Sequence, residues 1–182
     1  MNGGYCDKVA RIDLTEHTVS IELLDERLKE RYIGGRGFIA RWLVDVMPVD
    51  LHPLDPQALL AFATGPLTGT IVPTSSRTEI GAVAPETGIF SIGSVGGSFG
   101  TKLKRAGLDA LVVTGRSAKP IYILISDEGI ELKDASCYWG KDVFETEHAI
   151  RVDNRESRLS IASIGPSGEK GVAISTIMVD RV

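Results

Sequence analysis

The sequence predicts one α+β domain built on mixed β-sheets with short helices. Strand-like and helix-like segments are interspersed, but they do not alternate as the regular βαβ units of a doubly wound fold. The chain has 182 residues, of which 43% are hydrophobic and 24% charged, which suits one globular domain with a sizeable core. No linker, regular repeat or low-complexity segment interrupts it. We therefore expect residues 1–182 to form a single unit.

The first part of the chain predicts a β-hairpin followed by two helices. Residues 9–14 and 19–23 alternate in polarity on either side of a turn-like stretch, as the two strands of a hairpin do. Asp25 is placed to cap a short helix. After the glycine-rich residues 34–37, a second helix is predicted by apolar residues at helical spacing. These residues are Phe38, Ile39, Trp42, Leu43 and Val46.

The rest of the chain predicts short strands, with two more helices between them. A stretch with three prolines, residues 48–56, serves as the connector. Apolar or β-branched runs bounded by glycine and proline predict the strands. The strands are predicted at residues 58–63, 78–84, 110–114, 121–125, 130–132, 160–164 and 173–178. The helices are predicted at residues 98–106 and 142–150.

Composition argues against several classes of protein. The net charge of −4 provides no basic field for nucleic acid. No apolar run approaches the ~18 residues that a membrane span needs. The opening residues Met1–Tyr5 lack the layout of a secretory signal, so we expect a cytoplasmic protein. Cys6 and Cys137 lie far apart, and the three histidines are scattered, so we predict no metal site made by this chain alone.

Glycine is unusually frequent and is concentrated in loops. Twenty residues are glycine, about 11% of the chain against a typical ~7%. Any one loop is most simply explained as a tight turn. Several together indicate a large phosphate-bearing ligand, because exposed backbone N–H groups bind anionic oxygens. The loops span residues 34–37, 65–69, 93–100, 115–116 and 165–168, and the third leads directly into a predicted helix.

Side chains add one candidate for ligand binding and none for catalysis. Arg77 precedes a predicted strand and is either a planar, permanently charged fork for a phosphate or cofactor, or a surface arginine paired with a carboxylate such as Glu79. No nucleophile elbow, HExxH or paired His/Cys motif is present. The acidic runs at residues 25–26 and 145–147 have the character of solvated helix faces.

Nine short segments occur in an order and spacing that resemble the amino-terminal domain of the aldehyde:ferredoxin oxidoreductases, a family of tungstopterin enzymes. These segments are GGY at residues 3–5, RIDLT at 11–15, YIGGRG at 32–37, ATGPLTGT at 63–70, PTSSR at 73–77, GGSFG at 96–100, KRAGLDALVVTGR at 104–116, WGKDVFETE at 139–147 and SIGPSGE at 163–169. The resemblance covers essentially the whole chain.

The resemblance implies a base of two packed β-sheets on which a bis-molybdopterin cofactor lies. The cofactor carries tungsten or molybdenum, held by dithiolenes of its two pterins, with Mg²⁺ bridging the pterin phosphates. The implied reaction is oxidation of aldehydes to carboxylic acids. Two electrons then pass through a [4Fe-4S] cluster, held elsewhere in the full-length enzyme, to ferredoxin.

The resemblance also assigns cofactor-binding residues. Arg77 matches an arginine set between the pterin and the iron–sulfur cluster. Gly96 matches a glycine whose backbone lies against the pterin phosphate, and Gly97 and Ser98 follow in the same loop. Ser94 stands where many members have an asparagine. Because serine is shorter and lacks a carbonyl oxygen, its contact to Mg²⁺ is either lost or made through water or the hydroxyl.

The resemblance further predicts that this chain is the first domain of a longer enzyme and is inactive alone. In the family, a second pterin loop follows a segment like residues 177–182, and cluster cysteines and helical domains come after it. We therefore expect those carboxy-terminal domains and ferredoxin as partners. The alternative is a non-catalytic scaffold, or a truncated relic that keeps the fold without the metal cofactor. We also expect self-association through an open apolar surface formed by Ile71, Val72, Phe90, Ile92 and Val95.

Overall fold

The structure, a computed structural model, describes residues 3–48 and 50–181. Met1, Asn2, Val49 and Val182, which belong to the opening segment, the connector at residues 48–56 and the closing segment considered above, lie outside the described residues. The strands are β1 Lys8–Asp13, β2 Thr18–Leu23, β3 Leu60–Thr64, β4 Thr78–Val83, β5 Phe90–Val95, β6 Ala110–Thr114, β7 Ile121–Ser126, β8 Gly129–Asp134, β9 Ala162–Ser163 and β10 Met178–Val179. The helices are α1 Glu26–Tyr32, α2 Arg36–Val46, α3 Phe99–Arg105, α4 Val143–Asp153 and α5 Pro166–Glu169.

A six-stranded mixed sheet organises the domain. Its strand order is β2-β1-β6-β3-β4-β5, in which β1 and β6 pair in parallel and the other neighbours pair antiparallel. Two smaller sheets, β7-β8 and β9-β10, complete the strand pairing among the described residues. The α+β fold with mixed β-sheets and short helices is therefore confirmed.

The large sheet has an apolar core on each face. On one face, Phe38 and Trp42 of α2 pack against Ala61 and Val112 of the central strands. On the other face, Phe62 and other sheet residues contact α3 and the β7-β8 hairpin. Successive side chains of a strand point to opposite faces, so the unbroken apolar run of β3 is explained by its cover on both sides.

The first elements form as the residue pattern predicts. β1 and β2 make an antiparallel hairpin in which Ile12 lies opposite Val19. The Asp25 side chain accepts a hydrogen bond from the Arg27 backbone N at 2.8 Å and caps α1. The predicted apolar face of α2 is buried from Phe38 to Leu43, whereas Val46 at its end is exposed.

Four predicted elements differ from the structure, one of them the glycine loop at residues 165–168, where Pro166–Glu169 form the short helix α5. The strands expected at residues 160–164 and 173–178 shorten to the two-residue strands β9 and β10. Residues 93–95, placed in a glycine loop above, end strand β5, where they pair with β4. β5 is an exposed edge strand, so it lacks the alternation of buried and polar residues by which strands are recognised.

The predicted apolar surface is only partly open. Ile71, Val72 and Phe90 are exposed. Ile92 and Val95 instead pack against the two core clusters, one on each face of the sheet. Self-association through this surface stays a prediction. In the part of the chain that the structure describes, no helix has the length and apolar character needed to cross a bilayer.

Candidate functional site

Arg77 lies at the corner of the sheet where β4 begins and β5 ends. Its Nη1 donates to the Ser94 backbone oxygen at 3.2 Å and to Ser94 Oγ at 3.4 Å. Ser94 Oγ in turn donates to Glu79 Oε1 at 2.9 Å, since Ser94 and Glu79 lie directly opposite each other in the β4-β5 pair. Arg77 is thus linked to Glu79 through a serine, a third arrangement beside the two expected from sequence.

The two glycine loops at residues 34–37 and 65–69 meet beside this corner and enclose a pocket of about 390 Å³. Arg36, Arg77 and Glu79 all line it, and we call it the arginine pocket. Arg36 Nη2 lies 3.6 Å from Glu79 Oε2. Two guanidinium groups against one carboxylate leave the pocket with an excess of positive charge. Since guanidinium groups bind phosphate and carboxylate strongly, the pocket suits an anionic group.

A second cavity of similar size, about 410 Å³, lies on the other face of the sheet. Phe62, Leu111, Ile123 and Ile150 are among the residues that line it, and its wall is predominantly apolar. None of the predicted cofactor-binding residues lies in this wall. We therefore place the candidate site at the arginine pocket and the neighbouring corner, where charge and the glycine loops come together.

Glycines at the corner leave space that the protein itself does not fill. A Cβ added to Gly65, Gly93 or Gly96 would meet no atom within 4 Å among the described residues. None of the three has the positive φ that favours glycine, whereas Gly97 does, at φ +77°. Neither packing nor backbone conformation explains the first three. Glycine also allows a ligand to approach the backbone closely, and that explanation fits their position.

Gly97 and Ser98 do not line the arginine pocket, and Ser98 instead contacts the end of the described chain. Ser98 Oγ donates to Asp180 Oδ2 at 3.2 Å. The Asp180 carboxylate also accepts from the Ile161 backbone N at 3.0 Å and lies 3.6 Å from Arg151 Nη2. Asp180 therefore fixes the turn that follows Gly96. The sequence analysis missed it, because nothing local to residue 180 indicates a partner 82 residues away.

Glu147 of α4 contacts the two arginines next to Asp180, Arg151 and Arg181. It is fully buried in α4, which corrects the expectation that residues 145–147 form a solvated face. Its Oε2 accepts from Arg151 Nη1 and from Arg181 Nε, both at 3.0 Å. A buried carboxylate needs such partners because an isolated buried charge is costly. Glu147 thereby positions Arg151, which pairs with Asp180, and Arg181, which follows Asp180 in the chain.

The two cysteines lie apart from the arginine pocket. Both are free, with Cys6 half-buried and Cys137 exposed. Burial raises the pKa of the Cys6 thiol, and the nearby Asp109 carboxylate raises it further, so the thiol stays protonated near neutral pH. Across residues 3–48 and 50–181, no three His, Cys, Asp or Glu side chains gather into a metal-binding group.

The matching family model identifies the chain. The family described as "Aldehyde ferredoxin oxidoreductase, N-terminal domain" matches residues 9–182. The chain belongs to this family. The tungsten-containing aldehyde ferredoxin oxidoreductase of Pyrococcus abyssi is 41% identical over 175 residues, which cover 96% of this chain. The match covers 29% of that relative, so the chain spans less than a third of its length.

Other members of the aldehyde ferredoxin oxidoreductase family carry different names. The "Aliphatic sulfonate oxidoreductase, WOR-like subunit" of Pyrococcus furiosus is 30% identical over 191 residues, with 96% of this chain and 30% of that protein covered. The solved structure "Active site complex BamBC of Benzoyl Coenzyme A reductase in complex with 1,5 Dienoyl-CoA" superposes with a TM-score of 0.96 at 34% identity. That match covers 98% of this chain and 27% of the solved chain. The domain is thus shared among oxidoreductases with different named substrates.

Replacement by alanine is expected to have different effects on stability at two glycines of the family segment GGSFG. A Cβ at Gly100 would come within 2.4 Å of Thr78 Oγ1 and 3.0 Å of Thr68 Cγ2. We expect Gly100→Ala to lower the free energy of unfolding by about 1–3 kcal/mol through overpacking, although alanine favours a helix. Gly96→Ala, which meets open space, is expected to change it by less than about 0.5 kcal/mol.

Urea denaturation of the two variants and the wild-type chain measures the difference. Gly96→Ala is the matched control, since both substitutions add one methyl group four residues apart. A Gly100→Ala variant as stable as the wild type would show that α3 moves freely away from Thr78. It would also remove the packing explanation for this glycine.

Proposed function

We propose that residues 1–182 form the amino-terminal cofactor-binding domain of a tungsten- or molybdenum-pterin oxidoreductase. The proposed reaction oxidises aldehydes to carboxylic acids, with ferredoxin as electron acceptor. The cofactor is a bis-molybdopterin with Mg²⁺ bridging its phosphates, and a [4Fe-4S] cluster belongs to the full-length enzyme. The observation that carries the proposal is the corner at Arg77, where two arginines and unfilled glycine positions occur together in a chain of this family.

The residues at this corner fit a phosphate-bearing pterin. Arg77 and Arg36 supply positive charge for phosphate oxygens. The open side of Gly96 leaves its backbone accessible to a ligand. Gly97 and Ser98 hold the turn that presents Gly96, because Ser98 is tied to Asp180. When bound, the metal centre supplies the two-electron oxidation. The Arg77 cation would favour states of the bound cofactor that carry more negative charge.

Ser94 serves Arg77 and Glu79 in this proposal, and it does not contact Mg²⁺. Its backbone oxygen accepts from Arg77, and its hydroxyl donates to Glu79. The hydroxyl also accepts from Arg77 Nη1 at 3.4 Å, so two protein groups already orient it. Of the alternatives expected from sequence, loss of the Mg²⁺ contact agrees best with these bonds.

Aldehyde is the proposed substrate because the relative with the greatest identity quoted above is named an aldehyde ferredoxin oxidoreductase. The same domain occurs in proteins named for a sulfonate and for benzoyl-coenzyme A. The choice of substrate therefore depends on parts of the full enzyme that differ among these proteins. We propose the carboxy-terminal domains of the same polypeptide, and ferredoxin, as the partners of this chain.

Metal and pterin analysis of the polypeptide that carries this chain tests the proposal. The protein is purified without oxygen from cells grown with tungstate or with molybdate. We expect metal, iron and pterin to co-purify with it, and aldehydes to reduce ferredoxin and yield the carboxylic acid. A stable protein without metal or pterin would support the scaffold or relic alternative. Metal and pterin without aldehyde oxidation would retain the cofactor proposal and reject the substrate.

A further inference from the structure

Two strands that each have an unpaired edge line the apolar cavity on the second face of the large sheet. Among the described residues, β7 pairs with β8 alone and β9 pairs with β10 alone. Residues 121–125 of β7 and residues 162–163 of β9 all line this cavity of about 410 Å³. An unpaired edge presents backbone N–H and C=O groups that readily pair with another strand. The same space therefore borders two strands that can each accept a neighbour.

The hydrogen bonds of the β7-β8 hairpin show which amides of β7 are unpaired. Ala135 N donates to Pro120 O at 2.9 Å, one step before Ile121 in the register of the hairpin. Opposed residues of an antiparallel pair alternate between those that exchange hydrogen bonds and those that do not. The backbone groups of Ile121, Ile123 and Ile125 accordingly point away from β8. They form a row of three donors and three acceptors that are open to a further strand.

The first half of the domain shows what lies in the corresponding place there. Its hairpin β1-β2 is followed by helices and by β3, which ends at the Gly-Pro pair of residues 65–66 and pairs antiparallel with β4. The second half repeats this order with the hairpin β7-β8, the helix α4 and β9, which is followed by the Gly-Pro pair of residues 165–166 and pairs antiparallel with β10. In the first half, β6 joins β1 to β3. No described strand joins β7 to β9.

Ser163 of β9 gives independent evidence that a further segment of backbone enters the cavity. Ser163 lines the cavity, and its Oγ is buried without a hydrogen-bond partner among the described residues. Buried polar atoms without partners are rare in folded proteins. Ala63, which also lies two residues before the glycine of its loop, is opposite Ala110 of β6. A strand beside Ser163 brings polar backbone groups into its reach, whereas a purely apolar small molecule does not.

We propose that one apolar β-strand from the carboxy-terminal part of the same polypeptide lies in this cavity and joins β7 to β9. Like β6, it runs parallel to one neighbour, β7, and antiparallel to the other, β9. About five apolar and β-branched residues fit, as in Ala110–Thr114 of β6, because such a strand is covered on both faces. This proposal rests on the proposed function, in which the carboxy-terminal domains are partners of this chain.

The position of β10 favours the same polypeptide over a second copy as the source of the strand. Ile177, directly before β10, lines the cavity, and β10 pairs with β9. A polypeptide that continues from β10 therefore starts beside the cavity. The chain spans less than a third of the Pyrococcus abyssi relative, so a full polypeptide of that length has residues to supply the strand.

Hydrogen–deuterium exchange at single amides tests the proposal. The 182-residue chain is compared with the full polypeptide that carries it, and circular dichroism checks that both are folded. The informative amides are those of Ile121, Ile123 and Ile125. Ala10 and Ile12 of β1 are the internal reference, because their partner strand β6 is present in both proteins.

We expect the three β7 amides to exchange at least about a hundredfold more slowly in the full polypeptide than in the 182-residue chain, because a paired amide exchanges only when the sheet opens. Ala10 and Ile12 are expected to exchange slowly in both. Protection at all three positions identifies a strand, since a regular ladder engages every second residue. Fast exchange in the full polypeptide, or protection of one amide alone, would overturn the proposal.

Two substitutions at Ile123 separate a paired strand from any other cover. Ile123→Pro removes the N–H that points away from β8, whereas Ile123→Ala shortens the side chain and keeps the N–H. In the full polypeptide, we expect Ile121 and Ile125 to exchange at least about tenfold faster in the proline variant only. Slow exchange at Tyr122 and Leu124, which bond to β8, shows that the hairpin stays folded. Unchanged protection of Ile121 and Ile125 in the proline variant contradicts the proposed ladder.

The remaining outcomes identify other occupants and keep the proposal apart from the proposed function. Protection of the β7 amides in the 182-residue chain, together with a dimer in light scattering, assigns the cavity to a second copy and rejects the proposal. Fast exchange in a full polypeptide that holds metal and pterin rejects the strand and leaves the cofactor-binding function intact. Slow exchange in a full polypeptide without metal or pterin supports the strand and rejects that function.

Discussion

Replacing Arg77 by lysine is expected to weaken binding of a pterin phosphate about ten- to a hundred-fold while leaving the fold intact. One guanidinium nitrogen, Nη1, donates to both oxygens of Ser94, and the guanidinium carries further N–H groups that it can present to a ligand. Lysine keeps the charge but loses this planar fork. A charge-assisted hydrogen bond contributes about 1.5–3 kcal/mol, which corresponds to the stated loss. Arg77 is exposed, so stability is expected to stay within about 0.5 kcal/mol.

The measurement is titration of the chain with a pterin monophosphate, together with the pterin content of the purified full polypeptide. Arg116→Lys is the control, because the Arg116 guanidinium also donates to a backbone oxygen, that of Leu54 at 3.0 Å. It does not line the arginine pocket. Equal affinity of the wild type and the Arg77 variant for the pterin monophosphate would show that its phosphate does not bind at this corner.

Replacing Asp109 by alanine is expected to cost about 3–5 kcal/mol of stability, because it leaves a buried charge without its partner. Asp109 is 1% exposed and pairs with Lys104, whose side chain is 7% exposed. Its two carboxylate oxygens also accept from the Cys6 backbone N, at 3.1 and 3.0 Å. The carboxylate thus joins the amino-terminal segment to the turn before β6.

Urea denaturation near pH 7 measures this loss. Glu22→Ala is the control, since Glu22 also pairs with a basic residue, Arg11 at 2.6 Å, but on the surface. It is expected to change stability by less than about 1 kcal/mol. The double variant Asp109→Leu/Lys104→Met is expected to regain much of the loss, because it removes both buried charges. A single variant at Asp109 as stable as the wild type would show that water reaches Lys104.

The parts of the fold that the sequence predicted correctly are those whose signals are local. Alternating polarity predicts the hairpin β1-β2, and the helical spacing of apolar residues predicts the helix α2. β5 was missed, because an exposed edge strand with a glycine carries no such pattern. Its strand character comes from pairing with β4, and a single sequence does not display that pairing.

The candidate site divides in the same way. Arg77 and the glycine loops could be identified from the sequence by their residue types. The family segments then assigned Arg77 to cofactor binding. Glu79 was named only as an ordinary partner for Arg77, because its contact with Ser94 depends on strand register. Glu147 was assigned to a solvated face, since its partner Arg181 lies 34 residues away. Burial of a charge follows from tertiary contacts and not from the run of residues around it.

The bond between Ser98 and Asp180 has a consequence for the order of events during synthesis. The turn that presents Gly96 obtains this support only after residue 180 has left the ribosome. The 82 residues between the partners take roughly 4–16 s to translate at about 5–20 residues per second. Until then the loop lacks the contact that fixes its conformation. Binding of the proposed cofactor at this turn is accordingly expected only after residue 180 has been made, because a shorter nascent chain lacks the Ser98–Asp180 contact.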